Sequence, residues 1–370
     1  TEMAAEYGIA DKSNSIQATF FDSDNDGDLD LYVCNYPVIP LTMPNIFYHE
    51  KMQLRNPIES GHLFRNEGNG KFTDITEESG VLNFGLSLGV VASDFNNDGW
   101  QDLYVSNDFN VPDYFYINNG DGTFSENIKE TSRQTSMFGM GVDAADFNND
   151  GLMDLAQVDM TPNDYYRSKT NMASMDPESF YGMVSMGFHY QYMQNSLQVN
   201  NGIDDLGRPI FSNVARLSGI ATTDWSWAPL FADFDNDGLK DIVITNGMRL
   251  DVNNNDLLST ENTTSLVREK IDMNKAPSTP IENFIFKNKG GYEFEDVSKK
   301  WNVNSKGFSN GIAYGDLDND GDLDLVINYI DEEASLLQNN NQGTNFCRVK
   351  LYGSEQNPMG LGCKIKLVSG

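Results

Sequence analysis

Five stretches of this sequence gather oxygen ligands at one repeated spacing. Counted from its first aspartate, each nine-residue loop has Asp at position 1, Asp or Asn at 3, Asp at 5, Gly at 6 and Asp at 9. Loop 1 carries Asp22, Asp24, Asp26 and Asp30; loop 2 carries Asp94, Asn96, Asp98 and Asp102. Loop 3 has Asp146, Asn148, Asp150 and Asp154; loop 4 has Asp233, Asp235, Asp237 and Asp241; loop 5 has Asp316, Asp318, Asp320 and Asp324. Position 7 is Asp28, Trp100, Leu152, Leu239 or Asp322, each able to offer a backbone carbonyl. A hard cation such as Ca²⁺ takes roughly six to eight oxygens at about 2.3–2.6 Å from a flexible loop. Side chains at 1, 3 and 5 put three oxygens on one concave side, Gly at 6 allows the sharp turn, and Asp at 9 closes the shell. The expectation is up to five Ca²⁺, one per loop, with no catalytic residue assigned.

Nearby chemistries fit less well. An EF-hand needs Glu at position 12 between helices, whereas position 12 here is Val33, Val105, Gln157, Ile244 or Ile327. Mg²⁺ prefers few protein ligands in a strict octahedron. Asp-Asn-Asp-Gly runs are turn formers, but a turn needs no aspartate at position 9.

The flanks show what must position these loops. An apolar run precedes each one (SIQATFFD, LGVVASD, GVDAAD, APLFAD, GIAYGD) and another follows (DLYVCN, DLYVSN, DLAQVD, DIVITN, DLVIN). A third run ending in Asn and Gly and an aromatic fourth come next, as in HLFRNEGNGKFTDI, DYFYINNGDGTFSENI and NFIFKNKGGYEFEDV. Short runs rich in Val, Ile, Tyr and Phe, split by Asn-Gly or Gly-Asp-Gly, read as antiparallel hairpins. The unit is therefore four strands with the acidic loop joining the first two, and its repetition predicts an all-β fold, a β-propeller. Five blades are visible and a seven-bladed ring is expected, with partly helical insertions at Tyr36–Gly61, Asp159–Gln194 and Gly247–Ile281. The propeller is expected over 1–344, with the start of a second β domain over 345–370.

The formal net charge of −30 excludes nucleic acid as a partner, because phosphates need a basic footprint. The 39% hydrophobic content is that of a folded chain, and much of the acidity sits in the loops. Cys34, Cys347 and Cys363 form no CxxC pair, and His49, His62 and His189 lie far apart, so zinc is not expected. Cys347 and Cys363 read as two reduced, buried thiols, a hairpin disulfide being the other option. No apolar run is long enough to span a membrane. The chain reads as a segment of a longer protein.

The DxDxDGxxD loop, bracketed by a GVxxxDF-type strand and a DLYV-type strand, resembles the FG-GAP/VCBS repeats of integrin-α-like propellers over about Ser15 to Asn340. The resemblance implies a structural Ca²⁺ in each blade and no catalytic residues. The last segment, NFCRVKLYGSEQNPMGLGCKIKLVSG, resembles the opening of an ASPIC/UnbV domain. The insertions look like those of large Bacteroidetes proteins of the ASPIC/UnbV (cartilage acidic protein-like) family, which are exported or anchored as surface lipoproteins.

The remaining candidates divide between packing and binding. The Asp159–Met193 stretch is dense in Met and aromatics (Tyr165, Tyr166, Met172, Met175, Phe180, Tyr181, Met183, Met186, Phe188, Tyr190, Tyr192, Met193) and reads as a helical excursion packed on the propeller. Exposed, it would instead offer an adaptable contact surface. Ser259–Met273 reads as a surface helix, and Asn262 heads a glycosylation sequon. Trp225, Trp227, His62 and His189 read as structural. Asp159, Asp164, Asp176, Glu178, Asp251 and Asp256 lie outside the loops, and nothing in their spacing selects a catalytic pair. The expectation is an extracytoplasmic binding or scaffolding module, secreted or surface-anchored, for a protein or polysaccharide. The alternatives are a polysaccharide-cleaving hydrolase or lyase, and a structural subunit of an outer-surface complex.

Overall fold

The computed structural model describes residues 2–40, 43–172, 176–256, 276–341, 346–353, 357 and 360–365. The apolar runs before and after each acidic loop form the first two strands of an antiparallel sheet, and the hairpin that follows supplies the rest. Blade 1 is built from Ser15–Phe21, Asp30–Asn35, His62–Asn66 and Phe72–Asp74. Blade 2 comprises Ser87–Ser93, Asp102–Asn107, Tyr114–Asn118 and Phe124–Glu126. Blade 3 has Val142–Ala145, Asp154–Gln157, Ser196–Ile203 and Pro209–Asn213, and blade 4 has Ser226–Ala232, Asp241–Asn246, Phe284–Asn288 and Phe294–Asp296. Blade 5 shows three strands, Ser309–Gly315, Asp324–Tyr329 and Ser335–Leu337, among the described residues. In every blade the strands follow one another in chain order, giving an all-β fold of propeller type.

Five blades are found among the described residues where seven were expected. Among the described residues the long intervals hold no further four-stranded sheet. The first carries the helix Asn45–Leu54, and the second carries the helices Tyr165–Thr170 and Pro177–Ser185. A helix satisfies its own backbone groups, so it can leave the sheet and return without adding a blade. Within the third interval, 257–275 lies outside the described residues, as do the Ser259–Met273 helix, the Asn262 sequon and Met175.

One register recurs. The residue before each loop pairs with the loop's last aspartate: Phe21 with Asp30, Ser93 with Asp102, Ala145 with Asp154, Ala232 with Asp241 and Gly315 with Asp324. Because a one-residue slip would turn every side chain to the other face, this register fixes which residues enter the core. In four blades a bulge follows a starting serine (Ser15, Ser87, Ser226 and Ser309).

The chain divides into two compact units. One comprises Thr1–Arg133, Asn200–Phe211 and Cys347–Gly370; its core joins Phe21, Tyr32, Leu63, Leu103, Val105 and Tyr116. The other comprises Gln134–Val199 and Ser212–Phe346, with a core around Phe234, Val243, Ile285, Leu325 and Ile327. Each such buried side chain contributes on the order of 1.5–3 kcal/mol of transfer free energy. Cys34 is buried; Cys347 and Cys363 are free thiols rather than a disulfide, as read, but they are exposed rather than buried. The described part of 346–365 contains no regular strand, which leaves two thiols there without a sheet to bury them.

Candidate metal centres

Each acidic loop is a tight hairpin connection whose shape comes from two residues. Position 4 is asparagine throughout (Asn25, Asn97, Asn149, Asn236, Asn319), with φ between 55° and 66°. Asparagine tolerates this left-handed conformation better than other residues with a Cβ. Position 6 glycine follows at φ between 88° and 97°. The first aspartate ties the turn from inside, its Oδ2 accepting from the glycine N–H: Gly27 to Asp22 at 3.1 Å, Gly99 to Asp94 at 3.0 Å, Gly151 to Asp146 and Gly238 to Asp233 at 2.9 Å. Position 5 in turn accepts from the N–H of position 7.

The position 9 aspartates do a second job. Asp30, Asp102, Asp154, Asp241 and Asp324 are all buried, and one oxygen of each accepts from the N–H of position 2. In four loops the other oxygen accepts from the N–H of the third strand's last asparagine: Asn66 to Asp30 at 2.7 Å, Asn118 to Asp102 at 2.9 Å, Asn288 to Asp241 at 2.9 Å and, two residues past its strand, Asn339 to Asp324 at 2.8 Å. The carboxylate therefore staples the loop to the third strand.

Asparagines of the third strand or just past it also clasp the ends of the blades. The Nδ2 of Asn118 donates to the Ser23 carbonyl at 2.8 Å and that of Asn200 to Phe95 at 2.7 Å, both within the first unit. In the second unit Asn288 donates to Phe147 at 2.8 Å and Asn339 to Phe234 at 2.7 Å. The loops also touch one another. The side chain of Asn25 donates to the Gly99 carbonyl at 3.1 Å, Asn149 to Gly238 at 2.8 Å and Asn236 to Gly321 at 3.3 Å. Position 4 asparagine was legible as a repeated letter, but its reach to the next loop was not.

In loops 1, 4 and 5, where positions 1, 3 and 5 are all aspartate, the three carboxylates converge. Asp22, Asp24 and Asp26 each place one carboxylate oxygen within 4.8 Å of the others, as do Asp233, Asp235 and Asp237, and Asp316, Asp318 and Asp320. In loops 2 and 3 the asparagine at position 3 donates its amide to position 5, Asn96 to Asp98 at 2.8 Å and Asn148 to Asp150 at 2.9 Å. The oxygens Asp22 Oδ1, Asp28 Oδ1, Asp235 Oδ1 and Asp322 Oδ1 are buried and meet no donor. A buried acceptor without a partner is costly unless a cation satisfies it. The residues of these loops fit a hard divalent cation.

The electrostatics point the same way. Burial, with the neighbouring carboxylates adding to it, pushes Asp28 up to about 6. Burial, reinforced by a hydrogen bond to and the charge of Asp320, raises Asp322 to about 6. Burial raises Asp102 to about 8 and Asp241 to about 7, against the pull of their backbone donors. A divalent cation among these groups would reverse the push by favouring the charged form.

Outside the loops, sequence reasoning missed one constellation. Arg167, in the second insertion, lies in a fork between Asp224 (Nε–Oδ2 2.6 Å, Nη2–Oδ1 2.9 Å) and Asp251 (Nη2–Oδ1 3.2 Å). Asp224 holds φ at 76°, a strained conformation for aspartate that the fork helps to fix. The other candidate carboxylates are engaged in structure. Asp159 is fully buried and accepts from Ser136, Phe138 and Thr161, while Asp164 and Asp176 cap helices. A cavity of about 210 Å³ lined by Lys12, Asn14, Asn35, Val38, Ile58 and Glu59 holds a single carboxylate, which Lys51 pairs at 2.5 Å. His62 bonds Asp74 and Pro57, and Trp225 stacks on Trp227, both in structural roles. The insertion divides: Met172, Met183 and Phe188 are buried, whereas Tyr165, Tyr166 and Tyr181 are exposed.

Comparison with known proteins agrees with this architecture. The model of the FG-GAP-like repeat matches residues 54–105 and 94–156, a span that takes in loops 2 and 3. Cartilage acidic protein 1 of Homo sapiens is 24% identical over 275 residues, 74% of this chain and 33% of that protein. The chain thus spans about a third of the length of that curated relative. An Agrocybe aegerita lectin that recognises non-reducing terminal N-acetylglucosamine aligns over 89% of this chain and 67% of its own, with a TM-score of 0.39 and 13% identity. A Bacillus licheniformis rhamnogalacturonan lyase aligns over 85% of this chain and 47% of its own, with a TM-score of 0.39 and 10% identity. Likeness at that level fixes neither ligand nor chemistry. The fold is of β-propeller type, its residues 54–156 match the FG-GAP-like repeat, and the chain is similar in sequence to cartilage acidic protein 1.

Proposed function

We propose that this propeller is loaded with Ca²⁺ through its acidic loops and acts as an extracytoplasmic binding or scaffolding module, exported or surface-anchored as in Bacteroidetes proteins of the cartilage acidic protein-like type. The observation that carries the cation is Asp22. Its side chain is buried, it belongs to a three-carboxylate cluster, and its Oδ1 meets no donor. The binding face is the second insertion, whose exposed Tyr165, Tyr166 and Tyr181 suit a protein or polysaccharide surface. A non-catalytic role is supported by the candidate carboxylates, since Asp159, Asp164, Asp176 and Asp251 are each held in a structural bond.

A thermal melt against rising Ca²⁺, with chelator and Mg²⁺ as controls, tests the reading. Ligands that bind only the native state raise stability by RT ln(1 + [L]/Kd) per site. The melting temperature is expected to climb with Ca²⁺ and far less with Mg²⁺. A melt indifferent to Ca²⁺ would mean that the loops are held without it.

A further inference from the structure

Successive blades meet through one repeated set of positions. In blade 2, Val90 pairs with Val105 across the first two strands, and both join a core with Tyr32 and Leu63 of blade 1. In blade 5, Ile312 pairs with Ile327 at the same distance from its loop, and Ile327 joins a core with Val243 and Ile285 of blade 4. Each blade thus has a rear face, carrying the first kind of pair, and a forward face, where Tyr32 pairs with Leu63 or Val243 with Ile285. Two such faces stay open. The rear pair of blade 1 is Ala18 and Val33; Ala18 is exposed and Val33 half-buried where Val105 and Ile327 are fully buried, and Phe20 next to them is 59% exposed. The forward pair of blade 5, Val326 and Leu336, is 37% and 65% exposed, whereas Tyr32, Leu63 and Val243 have no exposure.

The rear face of blade 1 already holds one component of such an interface. After the fourth strands of blades 1 and 4 the chain makes a turn in which the Ser79 N–H donates to the Ile75 carbonyl at 2.8 Å and the Trp301 N–H to Val297 at 2.9 Å. These turns deliver Val81 and Val303 to the cores between blades. Met3 to Ile9 make the same turn, the Tyr7 N–H donating to the Met3 carbonyl at 3.0 Å, but its Ile9 is only half-buried. The turn sits on blade 1 as its counterpart sits on blade 2. A Cβ on Gly8 would lie 2.6 Å from the Phe72 carbonyl oxygen, and one on Gly80 3.0 Å from that of Phe124. Blade 5, for its part, shows no fourth strand among the described residues. The part its forward face lacks is the part that blade 1 carries.

We infer that copies of this chain associate head to tail, the forward face of blade 5 in one protomer packing on the rear face of blade 1 in its partner. The contact repeats between protomers what blades 1 and 2, and blades 4 and 5, make within one chain, and it removes Phe20, Val326 and Leu336 from water. The two faces differ, so every pair of protomers keeps one open face of each kind. Association therefore continues until a ring closes or a filament grows.

Sedimentation velocity across rising protein concentration tests it, with folding checked by circular dichroism. The wild-type sedimentation coefficient is expected to climb with concentration. Phe20→Asp and Leu336→Asp, both changes at exposed side chains, should each abolish the climb. Leu206→Asp, at a 75% exposed side chain in the blade 3 hairpin, should leave it unchanged. Mixing Phe20→Asp with Leu336→Asp supplies one intact face of each kind, so the mixture should form a one-to-one dimer and grow no further. A wild type that stays monomeric, a Phe20→Asp or Leu336→Asp variant that still associates as wild type does, or a mixture that stays monomeric would overturn the inference.

Discussion

The side-chain amide of Asn118 donates to the carbonyl of Ser23 at 2.8 Å, fastening the third strand of blade 2 to the acidic loop of blade 1. The same asparagine gives its backbone N–H to Asp102 and a second amide hydrogen to the Gln101 carbonyl at 3.2 Å. One residue thus closes its own loop and grips the neighbouring one.

Replacing Asn118 with alanine strands the buried Ser23 carbonyl. An unsatisfied buried group costs about 1–3 kcal/mol, so the unfolding free energy of Asn118→Ala read from a urea titration should fall by about that much, with a lower midpoint. Asn119→Ala, whose exposed amide donates to Thr123 and accepts from Ser125 at the surface, should stay within about 0.5 kcal/mol of wild type. Equal midpoints for the two variants would show that the clasp carries no stability.

The Arg167 fork makes a second prediction. The Asp224 and Asp251 side chains are each 4% exposed, so Arg167→Ala leaves two buried carboxylates without their cation. Breaking a buried pair this way costs about 3–5 kcal/mol. Arg167→Lys should recover only part of it, since an ammonium lacks the planar fork that reaches both partners. A urea titration of the three proteins reads the order directly, and a lysine variant as stable as wild type would refute the role of the fork.

Asp143 predicts a pH dependence. Burial pushes its carboxyl up to about 6 from 3.8, although the N–H groups of Phe231 and Ala144 pull the other way. The folded state therefore holds this proton more tightly than the unfolded chain. Its contribution to stability is present in full below about pH 4, is lost as pH rises through about 6, and stays flat above, a loss of up to about 3 kcal/mol. Asp143→Asn should remove that slope, and the difference between the two stability curves isolates it because the loop carboxylates titrate in both proteins. Parallel curves between pH 4 and 7 would show that Asp143 titrates as an ordinary carboxyl.

What could be read from the sequence was local. The Asp-x-Asx-x-Asp-Gly spacing and the strand runs around it lie within a few residues, so the hairpin and the four-stranded blade were both legible. Position 9 was legible as a conspicuous aspartate, but its bonds to Asn66 or Asn288 join residues 36 and 47 apart and appear only once the third strand is placed. The Arg167 fork spans 57 and 84 residues and has no local pattern. Blade number failed for a related reason: an insertion of helix and an insertion of sheet lengthen an interval equally. Lys287 stands in a strand as FIFKN, where a lysine that contacts Asp235 and Asp237 is indistinguishable from one aimed at solvent.

The bonds from Asn149 to Gly238 and from Asn236 to Gly321 string loops 3, 4 and 5 in series. In repeat proteins each unit is coupled to the next through the contacts they share, and these bonds are contacts of that kind. Here the release of one loop withdraws a donor from the next glycine carbonyl, so the opening of neighbours is correlated. Amide exchange at Gly151, Gly238 and Gly321 should then slow or quicken in step, and the three blades should come apart in a single event rather than by turns.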